Sequence, residues 1–126
     1  MKFVELFAGA GGLGLGLEAA GMEHLLSFEK EKAQHSVLVH NGKDAIRMDL
    51  ADVGRACLSM HEVPDIIVGG PPCQDFSRQG NRQSGERALL TEHFAQIICL
   101  VRPDWFLFEN VPEARTKSEY LNARAL

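Results

Sequence analysis

The sequence predicts an α/β fold built on a mainly parallel sheet. Three observations carry that expectation. Short β-branched or aromatic runs alternate with segments whose apolar residues recur at helical spacing. Two strand candidates, 65–69 and 105–108, are strongly apolar, as strands covered on both faces are. Glycine, proline or an acid closes each strand candidate, so turn-forming and polar residues collect at strand ends.

The elements follow in order. Residues 3–8, Phe-Val-Glu-Leu-Phe-Ala, read as a first strand that stops at glycine. Gly9 to Gly16 read as a flexible turn, leading into a helix from Leu17 with Gly21 as its C-cap. Residues 24–29 form a second strand ending in Glu29, and 31–40 a helix stopped by Asn41-Gly42. A short third strand runs from Ile46 to Leu50, closing around Asp49, and 51–60 a short helix. The fourth strand, 65–69, ends in Gly70-Pro71-Pro72, which continues neither strand nor helix. Residues 74–87 are polar and contain glycine, so they read as a loop. In 88–101, Leu90, Phe94, Ile97, Ile98 and Val101 mark one face of a helix. After Pro103, Trp105 to Phe108 reads as another buried strand, ending in Glu109-Asn110. From Glu113 the chain is polar and weakly patterned, either helix or frayed end.

With 126 residues there is room for one domain. An apolar fraction of 45% and a charged fraction of 24% exclude a generally disordered chain. No apolar run approaches the roughly 18 residues of a membrane span, so no membrane partner is expected. The start, MKFVELFAGAGG, lacks the layout of a signal peptide, and a cytoplasmic location is the simplest expectation. Three cysteines without metal-type spacing predict neither a disulfide framework nor a metal site. A net charge of −4 argues against a surface that coats nucleic acid.

Chemistry concentrates at the strand ends. Gly9-Ala10-Gly11-Gly12-Leu13-Gly14 fits G-x-G-x-x-G directly after a strand, where glycines let backbone approach a ligand. Glu29 lies 20 residues after Gly9 and is placed to accept from ribose hydroxyls. The pattern fits NAD, or S-adenosylmethionine, whose adenosine half is the same chemistry without phosphates. Asp49 reads as an acceptor for an adenine amine or as an ordinary loop acid. Cys73 follows two prolines at the end of a central strand, a position that suits an accessible nucleophile. Cys57 and Cys99, set in helical patterns, read as structural. Glu109 follows four apolar residues, so partial burial is expected. That would raise its carboxyl pKa and suit it to hydrogen-bond donation. A capping acid is the plainer alternative.

These residues resemble the cytosine-C5 DNA methyltransferases. Phe7-Ala8-Gly9-Ala10-Gly11-Gly12 is similar to that family's cofactor-binding first motif. Pro72-Cys73-Gln74 with Phe76-Ser77 is similar to its catalytic loop, and Glu109-Asn110-Val111 to the motif with its catalytic acid. The order and spacing agree to about residue 112. The resemblance implies a Rossmann-like S-adenosylmethionine-dependent methyltransferase fold with about five of its strands present. It also implies transfer of a methyl group to C5 of cytosine in double-stranded DNA.

Roles follow position by position from the resemblance. Cys73 would attack C6 of a flipped-out cytosine, and Glu109 would bind N3 and the exocyclic amine. Pro72 would contact the base and Asn110 would hold nearby backbone. Phe7, Ala8, Gly9, Gly11 and Gly12 would form the cofactor turn. Glu29 would bind ribose, Asp49 the adenine amine, and Lys30, Leu50, Gly70, Pro72 and Leu90 would complete the pocket. Lys30 stands where the family often has a tryptophan. Gln74, Ser77, Arg78, Gln79, Arg82 and Arg87 would lie in a loop that closes on DNA, the alternative being a solvated loop.

The resemblance also implies that residues 1–126 are the N-terminal part of a catalytic domain, without the target-recognition domain. Such a chain is expected to be inactive alone and to associate with a complementing chain or with itself. A bacterial, cytoplasmic or nucleoid-associated setting fits. An RNA-directed relative acting on transfer RNA would share every motif quoted. An inactive fragment and an NAD-dependent dehydrogenase domain are the remaining alternatives. The dehydrogenase leaves the Cys73 and Glu109 motifs unexplained.

Overall fold

A computed structural model describes residues 1–72, 89–112, 114 and 118–126 (118 and 119 through their backbone). Five strands, β1 (Lys2–Leu6), β2 (Glu23–Glu29), β3 (Ala45–Arg47), β4 (Ile66–Gly69) and β5 (Trp105–Phe108), form one sheet in the order β3-β2-β1-β4-β5. Every pairing is parallel. The helices are α1 (Gly12–Ala19), α2 (Lys32–His40), α3 (Val53–Leu58), α4 (Leu89–Val101) and α5 (Ser118–Ala125). The chain steps outward from β1 to β3, then returns through α3 to lay β4 on the other side of β1. The crevice between the carboxyl ends of β1 and β4 is therefore the switch point where such sheets hold ligands.

The core forms where the apolar strand faces meet α3 and α4. Leu6, Phe28, Ile67 and Ile97 are wholly inaccessible, and Val4 and Phe94 nearly so. Each such side chain contributes about 1.5–3 kcal/mol through burial. Asn41 caps α2, and Gly21 and Gly42 take left-handed backbone just past α1 and α2, at the expected stops.

Three expectations need correction. Helix α1 starts at Gly12, not Leu17, because Glu5 reaches out of β1 and caps it from below. The Gly14 N–H donates to Glu5 Oε1 at 3.0 Å. A Cβ at Gly14 would lie 2.5 Å from Glu5 Oε2, so that glycine makes room for a carboxylate. Second, β5 is not buried. It is the edge strand, and Trp105 and Phe106 are 65% and 61% exposed. Phe106 and Phe108 turn towards Phe94 on α4, and strand alternation sends Trp105 and Leu107 to the opposite face. Third, Cys99 lies on the exposed side of α4, whereas Cys57 is half-buried and its thiol is pushed up by burial.

Candidate functional site

The loop after β1 is held in an uncommon conformation. Phe7, Gly9 and Gly11 all have positive φ, at 55°, 57° and 89°. For Phe7, which carries a Cβ, that backbone costs on the order of 1–3 kcal/mol and persists because neighbours fix it. Ala8 donates its N–H to the Phe28 carbonyl at 3.0 Å, and Gly11 to the Ala8 carbonyl at 2.9 Å. Glu29 supplies the third anchor. One carboxylate oxygen accepts the Gly9 N–H and the other the Glu31 N–H, each at 2.7 Å. The acid at the end of β2 thus fixes the glycine turn at the end of β1.

These strand ends wall a cleft of about 560 Å³. That is an ordinary size for a small-molecule site. Of the residues assigned to a cofactor from the sequence, Phe7, Gly9, Glu29, Lys30 and Asp49 line it, as do Leu50, Gly70, Pro72 and Leu90. Ala8, Gly11 and Gly12 do not; they shape the turn behind it. A Cβ at Gly11 would press on Leu38 Cδ2 at 2.8 Å. The sequence reading missed Phe28, Glu31, Gln34 and Met48 as lining residues. Phe28, Glu31 and Met48 could have been found from their closeness to Glu29 and Asp49. Gln34 reaches the cleft through the packing of α2, which leaves no local signal.

Asp49 is engaged on both carboxylate oxygens. Its Oδ1 accepts the Ala51 N–H at 3.0 Å, as a loop acid does. Its Oδ2 lies 2.6 Å from Lys30 Nζ at the cleft. The Lys30 hydrogen bond holds the Asp49 carboxyl below the usual carboxylate range. Three carboxylates line this cleft (Glu29, Glu31 and Asp49), against one ammonium. The balance suits a nucleoside with hydroxyl and amine donors and opposes a pyrophosphate.

The ends of β4 and β5 meet beside the cleft. Glu109 donates its N–H to the Gly69 carbonyl at 3.0 Å. A Cβ at Gly70 would lie 2.7 Å from Glu109 Oε2, so the Glu109 carboxylate rests against bare backbone. Asn110 Nδ2 donates to the Pro71 carbonyl at 3.3 Å, and its Oδ1 accepts the Val111 N–H at 2.8 Å. Glu109 is exposed, not partly buried as expected, because β5 is the sheet edge. Cys73 and the loop residues Gln74, Ser77, Arg78, Gln79, Arg82 and Arg87 lie outside the described residues. Among the described residues, no group of three or more His, Cys, Asp or Glu side chains is arranged to hold a metal. None of their helices is long and apolar enough to cross a membrane.

Comparison with known proteins gives this geometry a context. Residues 1–125 match the family model for C-5 cytosine-specific DNA methylases. Type II methyltransferase M.HindV of Haemophilus influenzae is 44% identical over 118 residues, which cover 91% of this chain and 39% of that protein. Type II methyltransferase M.HgiGI of Herpetosiphon aurantiacus is 41% identical over 118 residues, covering 91% of this chain and 94% of that protein. The crystal structure of the Schizosaccharomyces pombe Dnmt2 methyltransferase superimposes with a TM-score of 0.73 at 20% identity, covering 99% of this chain and 39% of that one. At that identity the likeness concerns the fold alone. This chain therefore spans well under half of M.HindV and nearly all of M.HgiGI.

Proposed function

The chain belongs to the C-5 cytosine-specific DNA methylase family, and on that footing we propose that it carries the cofactor-binding, nucleophile-bearing part of a DNA cytosine-C5 methyltransferase. The observation that supports this best is the meeting of four strand ends, those of β1, β2, β4 and β5. The Glu29-anchored turn, the Gly70–Pro72 backbone and Glu109-Asn110 share one edge of the sheet.

The cleft suits S-adenosylmethionine, which when bound supplies an electrophilic methyl group. Glu29 accepts from ribose hydroxyls and Asp49 from the adenine amine. Phe7, Leu50 and Leu90 provide apolar walls, and the acidic lining favours a cationic sulfonium over a phosphorylated dinucleotide.

The chain's own groups then act on the base. C5 of cytosine is a poor nucleophile. The Cys73 thiolate forms a bond to C6, and the displaced electron pair spreads over C5 and N3. Glu109 hydrogen-bonds N3 and the exocyclic amine, which stabilises that charge and selects cytosine by its Watson–Crick edge. Pro72 contacts the flipped base, and Asn110 holds the backbone leading to it. After methylation, loss of the C5 proton to a base drives elimination and regenerates the thiolate.

Gln74, Ser77, Arg78, Gln79, Arg82 and Arg87 are proposed to contact the DNA around the flipped base. The exposed apolar strand β5 is proposed to receive a complementing chain, or a second copy, before methylation proceeds. A DNA substrate in turn suits a cytoplasmic, nucleoid-associated setting.

Calorimetric titration tests the cofactor reading. S-adenosylhomocysteine is expected to bind and NAD to produce no heat. Tighter binding of NAD would overturn it. Methyl transfer to duplex DNA against transfer RNA, with the remainder of a full-length relative supplied, then identifies the substrate.

A further inference from the structure

Lys30 and Asp49 stand side by side at one end of the cleft, at the ends of β2 and β3. Each is fixed from its own side. Arg47 Nε donates to the Lys30 carbonyl at 3.2 Å, and the Ala51 N–H holds Asp49. A recess of about 230 Å³, lined by Lys30, Arg47, Met48 and Asp49, opens at the same end. The pair presents an ammonium donor and a carboxylate acceptor 2.6 Å apart. Adenine presents the complementary order on its outer edge, an amine donor beside the N1 acceptor. We propose that Lys30 is a specificity-determining residue that donates to adenine N1 while Asp49 accepts from the amine.

The inference rests on the cofactor reading of the cleft and goes beyond it. The Lys30 and Asp49 side chains are 63% and 44% exposed. An ion pair that exposed is worth little, because water screens it, so a base displaces it at little cost. Hypoxanthine carries an acceptor where adenine has its amine and a donor at N1. Because the two side chains leave different strands, they do not exchange places to suit it. A site that offers a charged donor rejects a ligand lacking the acceptor more strongly than one that merely encloses it.

The test uses calorimetry on the whole chain with two ligands, S-adenosylhomocysteine and its 1-deaza analogue, whose N1 is replaced by C–H. Wild type is expected to bind the parent about tenfold more tightly. Lys30→Met, at an exposed position, is expected to weaken the parent about tenfold and leave the analogue unchanged. Equal weakening of both ligands, or no effect on either, overturns the role of Lys30 and leaves the cofactor site standing. Failure of wild type to bind either ligand overturns the cofactor reading and the role of Lys30 together.

Discussion

The Asn110 side-chain amide donates to the Pro71 carbonyl at 3.3 Å, which ties the end of β5 to backbone two residues before Cys73. Asn110→Ala is expected to lower stability by about 0.5–1.5 kcal/mol, the usual worth of such a bond. Methyl transfer, assayed with the remainder of a full-length relative supplied, should fall by more than that loss accounts for, since the variant frees the segment that presents the proposed nucleophile. Urea denaturation alongside a methylation assay separates the two effects. Activity that merely follows the folded fraction would contradict a positioning role.

Gly70 bears on the other proposed catalytic group. A methyl there would lie 2.7 Å from Glu109 Oε2 and 3.3 Å from the Glu109 carbonyl. The carboxylate end is movable and Glu109 is exposed, so it swings aside at modest cost in stability. Gly70→Ala is therefore expected to melt within a few degrees of wild type and, with the remainder of a full-length relative supplied, to lose at least about tenfold in methyl transfer. Unchanged activity would show that the Glu109 carboxylate does not act from its observed position.

The cap beneath α1 is testable by a double-mutant cycle. Gly14→Ala forces a Cβ against the Glu5 carboxylate and is expected to cost about 1–3 kcal/mol. With Glu5→Ala already present, that clash is gone and the second substitution should cost much less. Additive costs would mean that the two residues are not coupled.

Glu5 also makes stability depend on pH. Burial holds its carboxyl above the ordinary range, against the opposing pull of the Gly14 N–H. Glu18 pushes the same way as burial, while Ser27 and Lys43 oppose it. Over the raised window the folded chain keeps a proton that the unfolded chain has released. Stability therefore falls as pH climbs from the ordinary carboxylate range through the raised folded value. Glu5→Gln removes that ionisation, so its urea midpoint should vary less with pH across the window. Parallel pH profiles for the two proteins would contradict this.

Strand β5 bears on assembly. Trp105 is 65% exposed on an edge strand, so Trp105→Lys should cost little in stability. It should weaken any association measured by sedimentation velocity. Association unchanged by the lysine would place the contact elsewhere.

Strand ends were readable because apolar runs give way to glycine, proline and acids at Gly9, Glu29, Gly70 and Glu109. The family resemblance rests on those same positions, so most of the residues it singles out beside the first three strands line one cleft. What escaped the sequence is what depends on neighbours distant in the chain. The start of α1 is fixed by Glu5, which lies on a strand nine residues before Gly14. The exposure of β5 follows from strand order, which an apolar run does not encode. The Lys30–Asp49 pair exists because β2 and β3 are adjacent.

The central claim is that Cys73 attacks C6 of cytosine in DNA. The most direct measurement is mass spectrometry of the chain, supplied with the remainder of a full-length relative, after incubation with S-adenosylmethionine and duplex DNA containing 5-fluorocytosine. Fluorine at C5 blocks the elimination, so a covalent complex of this chain and one DNA strand is expected, absent from Cys73→Ala. No complex with wild type, or an equal complex with the alanine variant, would contradict the claim.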